Sequence, residues 1–135
     1  IPAGVAAALR YPNKQVFSIV GDGGALMTGS ELATAVAQKA KIRVIVANNQ
    51  HYGTIRYHQE VHFPTRNHYA TNLVNPDFAK YGESFGVKCF TINEVEEVIP
   101  TIQEAMEVDG PSLIEFKMSL ELNTSTTTIS QLQMK

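Results

Sequence analysis

The chain alternates between short runs rich in apolar residues and longer segments in which apolar residues recur every three or four positions. The apolar runs predict four strands, at residues 16–20, 42–47, 87–92 and 112–118. The first run carries no charge, which is typical of a strand covered on both faces. Helical spacing predicts helices at residues 2–10, 29–39, 76–85 and 94–108. This order predicts an α/β fold, a mainly parallel β-sheet with helices on both faces.

Polar residues predict where the later helices begin. Asn75, followed by Pro76 and Asp77, predicts the N-cap of the third helix. Asn93, with Glu96 three residues further on, predicts a capping box for the fourth. Residues 21–27 predict a loop, and residues 48–73 a long irregular stretch with up to two helical turns at 52–59. Long loops in compact domains are usually functional or disordered.

The ends of the chain differ from its middle. Residues 1–119 predict one domain, and residues 120–135 a polar tail, either an arm on another surface or a disordered segment. The chain opens on Ile1 rather than Met, and residues 1–9 have the pattern of a helix interior. We therefore expect the domain to be an N-terminally truncated piece of a longer protein.

Two polar clusters follow the first two predicted strands. Gly21-Asp22-Gly23 comes after the first strand and Asn48-Asn49 after the second, with 24 residues, 24–47, between them. A strand–helix–strand crossover makes the two strands parallel, so both clusters emerge at the same edge of the sheet. Open α/β sheets bind ligands at this edge. Either cluster alone would be an ordinary turn, but the pair predicts a ligand site.

The residue types in the clusters suit a divalent cation that holds a phosphate group. Asp22 offers a carboxylate oxygen, Asn49 an amide oxygen, and His51 a backbone carbonyl, and Mg²⁺ prefers such hard oxygen ligands. Gly23 and Gly24 lack side chains, so their backbone N–H groups can approach a phosphate closely.

Other chemistry fits the sequence less well. A dinucleotide fingerprint that starts at Gly21 would need glycine where Leu26 stands, and no P-loop is present. The four histidines lie in residues 48–73, but only His58 and His62 share a helical face, and Pro64 follows closely. Zinc binding is therefore disfavoured.

Composition excludes several classes of function. The net charge is −2 and the isoelectric point about 6.1, which predicts no nucleic-acid partner. Cys89 is the single cysteine, so no disulfide can form within the chain, and its apolar strand predicts a core position. No apolar run reaches membrane-spanning length and no secretory signal is visible, so we expect no membrane partner and a cytoplasmic location.

With these residues in view, the chain resembles a known family. The spacing of Gly21-Asp22-Gly23 and Asn48-Asn49 resembles the thiamine-diphosphate motif, and the segments "PAGVAAAL", "IVGDGGALMTGSELATAV", "VIVANNQHYGTIR", "NPDFAKYGESFG" and "GPSLIEF" also fit. Nearly the whole chain is similar to the C-terminal diphosphate-binding (PP) domain of the acetolactate synthase, pyruvate oxidase and decarboxylase group.

The resemblance implies thiamine diphosphate and Mg²⁺ as cofactors. It implies Asp22, Asn49 and the His51 carbonyl as metal ligands. It also implies cofactor contacts from a set of residues at the two motifs, namely Gly21, Asp22, Gly23, Gly24, Asn49, His51, Tyr52 and Gly53. The activating glutamate of the family lies in a pyrimidine-binding domain of the same or a partner subunit, outside this chain. The resemblance therefore implies a homodimer or homotetramer, and a fragment that is inactive alone.

The chain also departs from the family pattern. His58 stands where acetolactate synthases carry a tryptophan, and Thr54 where they usually carry methionine. A different acceptor is expected, and Thr54, Arg56 and His58 are the predicted substrate-facing residues, with a solvated or inter-subunit loop as the alternative. The predicted parent is a carboligase or decarboxylase acting on 2-oxo acids. The alternatives are a flavin-linked oxidase and a non-catalytic cofactor-binding or assembly module.

Overall fold

Four parallel strands form the centre of the molecule. The computed structural model describes residues 1–63, 68–124 and 127–133. The sheet has the strand order β1-β2-β4-β3. Its strands are β1 (Val16–Gly21), β2 (Ile42–Asn48), β3 (Lys88–Ile92) and β4 (Ser112–Lys117). All three pairings are parallel, which confirms the predicted α/β fold.

Helices connect these strands, and a short hairpin follows them. The helices are α1 (Pro2–Arg10), α2 (Asp22–Thr28), α3 (Leu32–Ala37), α4 (Gly53–His62), α5 (Phe78–Glu83), α6 (Val98–Glu107) and α7 (Ile129–Gln133). Single 3₁₀ turns at Gly29–Glu31 and Val95–Glu97 precede α3 and α6. Strands β5 (Leu122–Thr124) and β6 (Thr127–Thr128) form an antiparallel pair. In the part of the chain described here, no helix has both the length and the apolar character needed to cross a membrane.

The core has two layers, one on each face of the sheet. On one face, Val44 of β2 and Leu113 of β4 are buried under helices α1, α2, α3 and α5. On the other face, Ile114 packs with Ala105 of α6. The predicted arrangement of helices on both faces is therefore confirmed, since apolar strand residues need cover from water on each side.

Strand β1 differs from its prediction. Phe17 is 42% exposed and Ile19 is 75% exposed, whereas Val16, Ser18 and Val20 are half-buried. The strand lies at the edge of the sheet, and no described element covers the face that carries Phe17 and Ile19. The prediction of a strand covered on both faces is wrong for β1 in this chain.

The segment after β1 is helical where a loop was predicted. Helix α2 begins at Asp22, and the predicted helix 29–39 is divided into a 3₁₀ turn and α3. The glycines in α2 allow close packing rather than flexibility: a Cβ on Gly24 would lie 2.8 Å from Cγ2 of Val20. Small residues thus let α2 lie directly against β1.

Two helix caps also differ from the prediction. The N-cap of α5 is Asp77, which accepts a hydrogen bond from the Lys80 N–H at 3.0 Å, and not Asn75. The capping box before α6 pairs Glu94 with Glu97, one residue later than predicted. In both places several polar residues compete, and the cap is the one whose side chain reaches the free N–H groups.

The buried Arg43 ties α6 to the sheet. Its side chain is fully buried, and its guanidinium donates to three backbone carbonyls in the turn between α6 and β4, those of Met106, Val108 and Gly110. These bonds engage both terminal nitrogens of a charged group that burial would otherwise make costly, while its buried Nε has no partner among the described residues.

The segment after β4 packs against α4. Ile129 and Leu132 of α7 are buried, and α7 and β5 both contact α4. Glu121 accepts hydrogen bonds from the Ser130 N–H and hydroxyl, at 3.1 and 2.6 Å. The residues of the predicted arm that are described thus lie on this domain's own helix, while the domain boundary after residue 119 stays a prediction.

Candidate functional site

The two polar clusters lie on adjacent strands at one edge of the sheet. Gly21 at the end of β1 pairs with Ala47 of β2, and Asn48 pairs with Lys117 of β4. The carboxyl ends of β1, β2 and β4 therefore meet, as the crossover rule predicts. We call Gly21–Gly23 the first motif and Asn48–Asn49 the second motif.

The segments that follow the motifs touch each other. A Cβ built on Gly23 would lie only 2.4 Å from Cε1 of the Tyr52 ring, so the ring packs directly on the glycine backbone. This contact needs glycine at position 23, because any side chain there would displace the ring. The first motif and the loop after β2 therefore form one continuous surface.

Asp22 of the first motif carries a buried carboxylate. It is 2% exposed, its Oδ1 accepts the Gly23 N–H at 2.8 Å, and its Oδ2 accepts the side-chain amide of Asn75 at 2.7 Å. Among the described residues, no Lys or Arg forms an ion pair with it. A buried carboxylate needs hydrogen bonds or a cation, so this environment fits a bound metal ion.

The two asparagines of the second motif have different partners. Asn48 is buried; its Nδ2 donates to Oε1 of Glu115 at 2.7 Å, and its Oδ1 accepts the Asn75 amide at 2.8 Å and the Gln50 N–H at 3.3 Å. Asn49 is half-buried; its Nδ2 donates to the Leu122 carbonyl at 3.1 Å. Protein groups therefore occupy both ends of the Asn48 amide.

The backbone after Asn49 makes a sharp turn. Gln50 has a φ of 58°, in the left-handed region that non-glycine residues rarely adopt. The turn lets Oδ1 of Asn49 accept the His51 N–H at 3.3 Å. Within the described part of the chain, the His51 carbonyl accepts no hydrogen bond. An amide oxygen and a carbonyl oxygen are thus available two residues apart.

The ring of His51 is held by Arg56. Its Nε2 lies 3.1 Å from Nη1 of Arg56 and 3.2 Å from the Leu120 carbonyl. Burial lowers the pKa of His51, and the Arg56 charge lowers it further, while the Leu120 carbonyl and Asp22 act in the opposite direction. Nε2 thus faces a donor, the Arg56 guanidinium, and an acceptor, the Leu120 carbonyl, and the tautomer of the ring decides which of the two it bonds. The Nδ1 of the ring is buried and has no partner among the described residues.

A cavity of about 250 Å³ lies beside the two motifs. Its lining consists of Gly21, Gly24 and residues 51–55. Five of the eight predicted cofactor-binding residues therefore line the cavity: Gly21, Gly24, His51, Tyr52 and Gly53. The other three, Asp22, Gly23 and Asn49, do not line it. The exposed surface of this lining is mostly apolar, so any phosphate donors at this place would be backbone N–H groups of the glycines.

The predicted substrate-facing residues have different surroundings. Thr54 lines the cavity and is exposed. Arg56 is 8% exposed, and its Nε lies 3.5 Å from Oε1 of Glu60, so its charge is engaged inside the protein. His58 is exposed and stacks on His62, with 5.6 Å between ring centroids. The role of these three side chains toward a substrate stays a prediction.

Sequence reasoning missed two residues of this network, Asn75 and Glu115. Glu115 had a visible signal, since it is the one acidic residue in the apolar run of β4. Asn75 had none, because Asn-Pro-Asp is fully explained by a helix start. Within the described residues no three His, Cys, Asp or Glu side chains are grouped as a metal site, so a metal here would need amide and carbonyl oxygens.

Comparison with known proteins decides the family. The family profile described as "Thiamine pyrophosphate enzyme, C-terminal TPP binding domain" matches residues 1–116. The chain belongs to this family. The match confirms the family predicted from the sequence, and the parallel sheet of this TPP-binding domain agrees with it.

Relatives of this TPP-binding domain include several enzymes. It is 36% identical over 116 residues to 3D-(3,5/4)-trihydroxycyclohexane-1,2-dione hydrolase of Bacillus subtilis, which covers 82% of this chain and 18% of that protein. It is 30% identical over 120 residues to the acetolactate synthase large subunit of Porphyra purpurea, covering 88% of this chain and 20% of that protein.

A solved structure is similar over most of the domain. The thiamine diphosphate-dependent 4-hydroxybenzoylformate decarboxylase of Rhodococcus jostii RHA1 superposes with a TM-score of 0.82 at 28% identity. The match covers 88% of this chain and 22% of that chain. The TPP-binding domain thus spans about a fifth of the length of the proteins that it matches.

Proposed function

We propose that this domain anchors the diphosphate of thiamine diphosphate through a Mg²⁺ ion held by Asp22, Asn49 and the His51 carbonyl. The observation that carries the proposal is the buried Asp22 carboxylate, which has no Lys or Arg partner among the described residues. The three ligands are hard oxygens, which Mg²⁺ prefers, and their single negative charge leaves the ion positive enough to attract a diphosphate.

Asn49 supports this assignment better than its neighbour does. The amide oxygen of Asn48 already accepts two hydrogen bonds and its Nδ2 is bound to Glu115. The Asn49 oxygen accepts one long bond, from the N–H of His51, whose carbonyl is the third proposed ligand. Asn49 can therefore turn its oxygen to an ion without breaking a buried network.

The glycine-rich lining would hold the diphosphate itself. Gly21 and Gly24 line the cavity without side chains, and Tyr52 and Gly53 line it from the segment that follows the second motif. When bound, thiamine diphosphate supplies the electron sink for decarboxylation of a 2-oxo acid. The residues of this chain would bind and orient it, and the activating carboxylate is proposed to come from a pyrimidine-binding domain.

The complete protein is proposed to act on 2-oxo acids as a carboligase or decarboxylase. Support comes from relatives named as an acetolactate synthase and a decarboxylase. A flavin-linked oxidase would reveal itself by flavin absorbance in the purified protein. A non-catalytic cofactor-binding module would bind thiamine diphosphate and turn over no 2-oxo acid.

A pyrimidine-binding domain, from the same or a partner subunit, is the proposed partner. Leu26 and Met27 of α2 and Ile55 of α4 are 41%, 71% and 53% exposed, and Ile55 lines the cavity. An apolar surface beside a cofactor pocket is suited to burial against another domain. The proposed assembly is a homodimer or homotetramer, and the isolated domain is expected to have no turnover.

Calorimetric titration of the complete protein with thiamine diphosphate, with and without Mg²⁺, tests the proposal. Binding should require the metal and should be lost in Asp22→Ala and Asn49→Ala. Asp109→Ala is the matched control, since this aspartate has a side chain that is 92% exposed and lies far along the chain from both motifs. Unchanged metal-dependent binding in Asp22→Ala would show the ligand assignment to be wrong.

A further inference from the structure

The side-chain amide of Asn75 joins the two motifs. Its Nδ2 donates to Oδ2 of Asp22 at 2.7 Å and to Oδ1 of Asn48 at 2.8 Å, so both of its hydrogens are used. We propose that Asn75 is a positioning residue, which fixes the Asp22 carboxylate in the orientation that binds the metal ion. The inference rests on the proposed function, in which Asp22 is a metal ligand.

The buried carboxylate of Glu115 determines which atoms of the Asn48 and Asn75 amides donate and which accept. Glu115 is 2% exposed, and a carboxylate can only accept, so Asn48 must turn its Nδ2 toward it. Oδ1 of Asn48 then faces Asn75, as does Oδ2 of Asp22. Asn75 meets two acceptors and must present its NH₂ group. Its own oxygen points away, and that atom is buried without a partner among the described residues.

The backbone brings Asn75 to this place. The Tyr52 N–H donates to the Thr71 carbonyl and the Leu73 N–H donates to the Gln50 carbonyl, both at 2.8 Å. These bonds join residues 71–73 to the loop that follows the second motif. Asn75, two residues further on, is therefore carried to the motifs by a paired segment rather than by a free loop.

The hydrogen bonds leave Asp22 able to bind an ion. Each carboxylate oxygen can accept at two positions. Oδ1 uses one of them for the Gly23 N–H and Oδ2 uses one for Asn75, so each oxygen keeps a position for a cation. Without Asn75, the adjacent Gly23 N–H would be the one hydrogen-bond donor left to this carboxylate among the described residues. Loss of such a supporting hydrogen bond weakens metal binding by roughly 10–100-fold.

The test is the affinity of the complete protein for Mn²⁺ in the presence of thiamine diphosphate, read from the electron paramagnetic resonance signal of free Mn²⁺. Asn75→Ala should weaken Mn²⁺ binding by about 10–100-fold. Asp77→Ala is the control, because it removes the cap of α5 from the same segment without touching Asp22. It should change the affinity by less than about twofold. If Asn75→Ala does not fold by circular dichroism, Asn75→Ser, whose hydroxyl is too short to reach both acceptors, replaces it.

A double-mutant cycle separates positioning from a general structural effect. In the Asp22→Ala background, adding Asn75→Ala should leave the residual Mn²⁺ affinity unchanged, because the amide acts through that carboxylate. An equal loss in both backgrounds, or wild-type Mn²⁺ binding by Asn75→Ala, would overturn the inference while leaving the proposed function intact. Wild-type binding by Asp22→Ala would overturn the proposed function and this inference together.

Discussion

The contact between Gly23 and Tyr52 gives a prediction with a calculable size. A Cβ in Gly23→Ala would lie 2.4 Å from Cε1 and 2.7 Å from Cδ1 of the Tyr52 ring, whereas carbon atoms in contact are about 3.5–4.0 Å apart. The ring must therefore move by roughly 1 Å, and overpacking of this kind costs about 1–3 kcal/mol. Alanine is favoured over glycine in a helix by about 0.8–1 kcal/mol, which offsets part of that loss.

The net expectation is that Gly23→Ala destabilises α2 by about 0.5–2 kcal/mol. Hydrogen exchange of the α2 amides, followed by mass spectrometry on the complete protein, should then become roughly two- to thirtyfold faster. Gly21→Ala is the matched control for stability. A Cβ on Gly21 would meet nothing within 4 Å, and its φ of −70° and ψ of 159° suit any residue. Its exchange rates should stay within about twofold of wild type.

Removing the ring should reverse the sign of the effect. In a Tyr52→Ala background the added Cβ has space, so Gly23→Ala should slow exchange in α2 rather than accelerate it. Two results would refute the reasoning: equal effects of Gly21→Ala and Gly23→Ala, or the same loss at Gly23 with and without the Tyr52 ring.

Two further predictions concern residues away from the motifs. Arg43→Met should lower the free energy of unfolding by about 2–4 kcal/mol, since three backbone carbonyls, one of them buried, lose a charged donor. Thermal unfolding measures this loss. The control Lys41→Met, which removes an exposed ion pair with Asp109, should cost less than about 0.5 kcal/mol. Equal losses would contradict this role for Arg43. Burial, followed by the charge of Glu83, raises the pKa of Cys89 to about 12, so iodoacetamide at pH 8 should alkylate the folded thiol roughly a thousandfold more slowly than the thiol in urea. Fast alkylation before unfolding would show that Cys89 is accessible.

The sheet was predictable because its strands are read directly from apolar runs. Val44 lies in a run that needs cover on both sides, and the structure provides that cover. The same reasoning failed for β1, where Phe17 and Ile19 are exposed. An apolar strand shows only that cover is needed, and the residues that provide it need not be close in sequence, or in this chain at all.

The position of the site was predictable, but its hydrogen-bond network was not. Topology alone brings the carboxyl ends of β1 and β2 together, so Asp22 and the second motif had to share an edge. The bonds from Asn75 to Asp22 and from Asn48 to Glu115 span 53 and 67 residues, and local pattern carries no information over such separations. Helix α2 was missed for a related reason: its glycines suggested a turn, whereas they serve close packing against Tyr52 and Val20.

The place of β4 in the sheet has a consequence for how the protein is made. It lies between β2 and β3, although it is the last of the four strands to be synthesised. A nascent chain therefore displays both motifs long before Glu115 has left the ribosome to bind Asn48. Such pairing between distant segments is slow to form. A transcript that stopped before Ser112 would still encode both motifs, yet its product would lack the strand that pairs with β2 and the carboxylate that holds Asn48.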